Sequence, residues 1–200
     1  MPFAVKKDRI RSALRLLPAL VWLMPLLLFA TGSELFMLAT ATLVHEGGHL
    51  LAFALLCEPM PRPAAVPAGL TLTPRRPLSY PREAAVALAG PFFNLAVAIP
   101  LLVLGGGTGA SVAGTVQLLC ALINLLPLRG GDGGRAVSAL LHLLLAPPLA
   151  VRMADALSLL TLILLLFALL YLLLSPGGEG VILLLICLFQ RAVLQAATRP

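Results

Sequence analysis

A pair of histidines four residues apart is the part of this sequence most suited to chemistry. His45-Glu46-Gly47-Gly48-His49 is an H-E-x-x-H motif, and on a helix this spacing places both imidazoles on one face, where they can bind one metal ion. Zinc is the metal expected for this pattern. Glu46 can then act as general base towards a water molecule on the metal, whose pKa the metal lowers. The motif predicts a single Zn²⁺ ion held by His45 and His49, with Glu46 as the base.

The surroundings of the motif strengthen this interpretation. The run from residue 35 to 56 is otherwise largely apolar, and two imidazoles and a carboxylate are costly to bury in a membrane without partners. A purely structural polar patch would have to satisfy all three groups at once. We therefore favour a metal site.

Asp132 is the best candidate for a third metal ligand, because a catalytic zinc usually has three protein ligands and one open position. Most other acidic residues lie at the ends of apolar runs or in the basic N-terminal cluster. Asp132 instead lies in the unusual turn N-L-L-P-L-R-G-G-D-G-G-R. This turn ends an apolar run, at about the depth of the two histidines.

The composition predicts a membrane protein. Of 200 residues, 60% are hydrophobic and 11% charged, and the mean hydropathy is +1.03, too apolar for a soluble domain of this size. The net charge of +6 does not indicate nucleic-acid binding, because the basic residues lie in short segments between apolar runs. Three widely spaced cysteines imply no disulfide framework.

The fold class predicted from these runs is an all-α membrane protein, a bundle of about six transmembrane helices. A bilayer core of about 30 Å needs close to 20 helical residues to cross it. Residues 136–149 are too short and carry two prolines, so we expect a helix at the interface or packed against the bundle. The six predicted spans are residues 13–30, 35–57, 83–104, 111–128, 155–174 and 180–197.

The arginine and lysine clusters all fall on one side of a six-span arrangement, which predicts a multi-pass protein of the cell membrane with both termini in the cytoplasm. Residues 58–81 carry seven prolines and form a loop between the second and third spans. Within it, Gly69–Thr73 alternates as a short β-strand would. We expect one membrane domain over residues 1–200, without a soluble sensor domain.

Three motifs together resemble the site-2 protease family of intramembrane metalloproteases, in particular the bacterial branch that includes the stage IV sporulation protease FB. They are HEGGH at 45–49, A-G-P-F-F-N at 89–94 and N-x-x-P-x-x-x-x-D-G at 124–133. The resemblance covers roughly residues 35–140. One departure is that Gly130 and Gly131 stand where family members commonly carry a proline and a bulky residue.

The resemblance implies that His45, His49 and Asp132 are the zinc ligands and that Glu46 is the catalytic base. It also implies supporting roles for Asn94 and Asn124 near the site, Asn124 as a catalytic residue that holds the substrate backbone or the oxyanion. For both asparagines the alternative is an ordinary hydrogen bond between helices.

The predicted function is a zinc endopeptidase that cuts a membrane-embedded or membrane-adjacent protein substrate, in contact with the lipid bilayer. Regulation would then require a separate membrane protein. One alternative is an inactive relative that binds and regulates membrane proteins. Another is a transporter, which would spread ionisable residues along several spans. Here they cluster at one depth.

Overall fold

The computed structural model describes residues 32–66 and 69–174, which form five helices and one β-hairpin. The predicted spans at 13–30 and 180–197 lie outside the described residues. The elements in chain order are α1 (Gly32–Leu55), β1 (Arg62–Val66), β2 (Gly69–Thr73), α2 (Tyr80–Leu104), α3 (Thr108–Leu125), α4 (Asp132–Leu144) and α5 (Pro147–Leu174).

The chain divides into two compact units. One comprises residues 31–60 and 74–163 and contains α1 to α4 with the first part of α5. The described part of the other unit consists of the hairpin and residues 164–174. In the hairpin, β1 pairs with β2 in antiparallel register from Arg62 opposite Thr73 to Val66 opposite Gly69. The segment predicted to be a strand, Gly69–Thr73, is β2.

Helices α1 and α2 lie antiparallel. Ala41 contacts Asn94 near one end of the interface, and His49 contacts Val86 near the other. Residue numbers therefore rise along α1 as they fall along α2.

Helices α2 and α3 are also antiparallel, as expected for helices joined by only residues 105–107. Asn94 contacts Gln117, and a methyl group on Gly114 would lie 2.8 Å from Leu102 Cγ. This pairing makes α2 the central helix of the bundle, between α1 and α3, and α4 also packs against it.

Alanine dominates the core of the described bundle and lets the helix backbones approach closely, as in other membrane bundles. Large apolar side chains point outwards instead: Phe36, Leu43 and Val103 are each more than 70% exposed. An apolar surface around a core of small residues suits a lipid environment. The buried alanines are Ala41, Ala84, Ala87, Ala98, Ala121, Ala136, Ala139 and Ala150.

Three described helices are long and apolar enough to cross a membrane: Tyr80–Leu104, Thr108–Leu125 and the Pro147–Tyr171 part of α5. Together with the composition they place the protein in a membrane. Helix α1 occupies the predicted second span but is not among the three. Its motif residues His45, Glu46 and His49 lower its hydropathy.

Prolines shift two of the predicted boundaries. The span predicted at 111–128 is α3, which ends at Leu125 because Pro127 follows and the residue before a proline disfavours helix. Leu126 accordingly adopts φ −58° and ψ 134°.

The span predicted to begin at residue 155 begins at Pro147 instead. Proline is well tolerated in the first turn of a helix, where its missing N–H is not needed. The short helix predicted at 136–149 ends at Leu144, shortly before Pro147, because the residue before a proline disfavours helix. It begins earlier than predicted, at Asp132.

Candidate metal centre

The two histidines of the motif lie on the same face of α1, buried against α2. His45 is 6% exposed and His49 is 5% exposed. Their rings meet edge to face, with centroids 4.7 Å apart, and their Nε2 atoms are separated by 3.2 Å. The i, i+4 spacing on the helix thus brings two imidazole nitrogens to one point.

Asp132, the first residue of α4, lies beside the Nε2 atoms of both histidines. Its Oδ2 lies 2.8 Å from His45 Nε2 and 3.2 Å from His49 Nε2. In the described part of the chain, His45, His49 and Asp132 form the one group of three such side chains that could hold a metal ion. The structure thus brings together the three predicted ligands.

Glycines around Asp132 shape the turn that delivers it. Gly130 has φ 83°, a left-handed conformation that glycine favours and proline cannot adopt. A methyl group on Gly133 would lie 2.2 Å from the Leu125 carbonyl oxygen. The chain therefore folds back tightly on the end of α3, and Asp132 begins α4 at the histidine pair. The glycine at position 130, a departure from the family pattern, matches this backbone conformation.

The outer nitrogens of both imidazoles are occupied by hydrogen bonds. His49 Nδ1 lies 2.8 Å from the Val86 carbonyl oxygen, which can only accept, so Nδ1 carries the proton. His45 Nδ1 lies 2.9 Å from Asn94 Oδ1. In a neutral ring with this tautomer, Nε2 carries no proton and is available to a metal ion on the side of Asp132. A hydrogen bond on the far side of a ring is the usual arrangement for a metal-binding histidine.

Asn94 is fully buried and its amide is oriented by two acceptors. Its Nδ2 donates to the Ala41 carbonyl oxygen at 2.9 Å and to Gln117 Oε1 at 2.6 Å. Since a backbone carbonyl cannot donate, Oδ1 must face His45. Three helices thus contribute to the orientation of one imidazole.

Gly90, the second residue of the A-G-P-F-F-N motif, lies against both imidazoles. A methyl group there would lie 2.5 Å from His49 Nε2 and 2.9 Å from His45 Cε1. Gly48 similarly allows α1 to approach α2, because a methyl group on it would lie 2.7 Å from the Ala89 carbonyl oxygen. The A-G-P-F-F-N motif therefore supplies the space for the two imidazoles and, one turn later, the Asn94 oxygen that accepts a hydrogen bond from His45.

The second oxygen of Asp132 faces a cation. Oδ1 lies 3.5 Å from an Arg135 nitrogen, and Arg135 also pairs with Glu83 at 2.7 Å. The neighbouring guanidinium group favours the ionised form of the Asp132 carboxyl group.

Glu46 and Asn124, the two predicted catalytic residues, lie outside the group of three candidate ligands. Glu46 is partly exposed, next to His45, and among the described residues it joins neither the three-residue group nor any ion pair. Such a carboxylate is free to move a proton. Asn124 donates to the Cys120 carbonyl oxygen of its own helix at 2.9 Å, so the asparagine in contact with the site is Asn94. The catalytic role of Asn124 stays a prediction.

The donor set fits zinc. Bonds of about 2.0 to 2.2 Å in a tetrahedral site place ligand atoms about 3.3 to 3.5 Å apart. The three atoms here are 2.8 to 3.2 Å apart, so a spread of a few tenths of an ångström would suffice. Two neutral imidazoles protonated at Nδ1 and one carboxylate oxygen offer three lone pairs that one cation can share.

Comparison with known proteins was informative for the fold. No protein-family model matches the chain, and no curated protein sequence matches it. Among solved structures it is similar to "Site-2 Protease from Methanocaldococcus jannaschii", with a TM-score of 0.61 and 20% sequence identity over 92% of this chain and 88% of that one. The chain therefore shares the fold of this site-2 protease.

Proposed function

We propose that this protein is a zinc-dependent intramembrane endopeptidase, in which His45, His49 and Asp132 bind the metal and Glu46 is the general base. The observation that carries the proposal is that two imidazole nitrogens and one carboxylate oxygen lie within 3.2 Å of one another. The fold shared with a site-2 protease supports the same reaction.

The proposed substrate is a membrane protein cut in or next to a transmembrane segment. A zinc ion bound by the three ligands would lower the pKa of a water molecule and polarise the scissile carbonyl. Glu46 takes a proton from the attacking water and passes it to the leaving amine. A helical substrate must first unwind locally, because its peptide groups are otherwise held in its own hydrogen bonds.

Three other residues hold the ligands in place, one of them through its backbone carbonyl group. Val86 and Asn94 orient the two imidazoles through Nδ1, and Arg135 neutralises the outer oxygen of Asp132. An inactive regulatory relative would not require a free carboxylate at Glu46, so the variant at this position separates the two functions.

The decisive experiment compares Glu46→Gln with His45→Ala in the purified full-length chain and in cells that co-express a panel of single-span membrane proteins. Glu46→Gln keeps the size of the side chain but removes the base, so zinc content should persist while cleavage falls by about 100-fold or more. His45→Ala should lose zinc and cleavage together.

A matched control is available because the chain has three histidines. His142 lies on α4 and donates to the Ser138 carbonyl oxygen, outside the ligand group. His142→Ala should retain zinc. If Glu46→Gln cleaved at the wild-type rate, the protease mechanism would be wrong; if wild-type protein bound no zinc, the metal assignment would be wrong.

A further inference from the structure

We propose that Gln117 is a positioning residue for the metal centre, which acts through Asn94 on His45. The inference rests on the proposed metal site. Gln117 lies on α3 and does not touch a ligand; its Oε1 accepts a hydrogen bond of 2.6 Å from Asn94 Nδ2. Asn94 in turn accepts from His45 Nδ1 at 2.9 Å.

The burial of Gln117 is unusual for its position. It is 5% exposed in the middle of Thr108–Leu125, a helix apolar enough to span a membrane. A buried amide in such a helix is costly unless it is hydrogen-bonded. Its acceptor oxygen is directed at the one side chain that orients His45.

The direction of the Asn94 amide depends on two acceptors. If the amide were flipped, Oδ1 would face the carbonyl oxygens of Ala41 and Gln117, and its NH₂ group would face the protonated Nδ1 of His45. The contact with Ala41 would then be repulsive, because a backbone carbonyl oxygen cannot donate, and the other two would be repulsive with Gln117 and His45 in their present orientation and tautomer. With both acceptors present, the amide presents an oxygen to His45, which keeps the proton on Nδ1 and leaves Nε2 available to the metal. Without the Gln117 acceptor, a single backbone carbonyl orients the group.

A merely structural role would have a different consequence. A hydrogen bond that only joins α2 to α3 would stabilise the bundle equally with and without metal. A bond that orients Asn94 stabilises the metal-binding arrangement of His45. Zinc affinity therefore separates the two roles.

The test uses zinc dissociation constants of the purified full-length protein, measured by competition with a chelator. Gln117→Met keeps the length of the side chain and removes the acceptor, whereas Gln117→Glu keeps an acceptor oxygen. Loss of an outer hydrogen-bond partner weakens metal binding by about 10- to 100-fold. Since Gln117 acts one step further away, we expect about 10-fold for Gln117→Met, and for Gln117→Glu a value close to wild type.

A double variant shows whether the effect passes through Asn94. In an Asn94→Leu background, Gln117→Met should weaken zinc binding no further, because the group on which Gln117 acts is gone. Additive losses in the double variant would overturn the inference, as would wild-type zinc affinity in Gln117→Met.

The tautomer of His45 can also be measured in wild-type protein, where no substitution can disturb folding. With only three histidines in the chain, ¹⁵N spectra of histidine-labelled, zinc-loaded protein should show His45 protonated at Nδ1 and metal-bound at Nε2. Metal binding through Nδ1 of His45 would overturn the inference while leaving the zinc site intact. Failure of wild-type protein to bind zinc at all would instead overturn the proposed function.

Discussion

Gly90→Ala is expected to weaken zinc binding while the protein still folds. The added methyl group would lie 2.5 Å from His49 Nε2 and 2.7 Å from His49 Cε1. Ordinary contacts begin near 3.4 Å, so the imidazole would have to move by about 0.9 Å. His49 cannot move away freely, because its other nitrogen is held by the Val86 carbonyl oxygen at 2.8 Å.

The expected magnitude follows from two opposing effects. Alanine is better than glycine inside a helix by about 1 kcal/mol, while overpacking a core costs about 1 to 3 kcal/mol. The free energy of unfolding should therefore fall by about 0 to 2 kcal/mol. A displaced ligand should weaken zinc binding by about 10- to 100-fold, which corresponds to about 1.4 to 2.7 kcal/mol.

Gly47→Ala is the matched control, since nothing lies within 4 Å of a methyl group at Gly47. It makes the same substitution in the neighbouring helix and should leave zinc affinity unchanged, with equal or higher stability. Chelator competition and thermal unfolding of the purified protein measure the two quantities. Wild-type zinc affinity in Gly90→Ala would refute the argument that this glycine makes room for the histidine pair.

Three further predictions concern the ligand set, the topology and acid stability. Asp132→Ala should lower zinc content as well as cleavage, measured by metal analysis; unchanged zinc content would remove Asp132 from the ligand set. Reporter fusions at Arg76 should be cytoplasmic and those at Gly107 external, and an external signal at Arg76 would reverse the proposed orientation. The hydrogen bond from Arg76, helped by Arg82 and opposed by burial, lowers the pKa of Glu58 below its ordinary value of 4.5. Its stabilising contribution should therefore be present at neutral pH and lost as the pH falls through the lower folded-state pKa. Thermal unfolding from pH 7 to pH 3 should show this loss in wild-type protein and not in Glu58→Gln, and identical profiles would contradict it.

The meeting of the three candidate ligands could be predicted from the sequence because the patterns that mark them are local. The i, i+4 spacing of His45 and His49 implies a shared helix face wherever that helix lies. Asp132 stands out by its glycine-rich turn at the end of an apolar run. The membrane environment could be predicted from composition alone, because a chain with 60% hydrophobic and 11% charged residues has too few polar residues to cover the surface of a water-soluble domain.

The groups that support the ligands depended on tertiary structure. From the sequence, Asn124 was predicted to be the catalytic asparagine and Asn94 a supporting one, yet Asn94 faces His45 while Asn124 bonds to its own helix. Gln117 carried no motif, and its isolation in an apolar helix was the one available signal. The contacts of Asn94 join residues 23 to 53 positions apart in the chain. Which face each helix turns to its neighbour is decided by close packing at small residues such as Gly90, and periodicity along one helix does not contain that information.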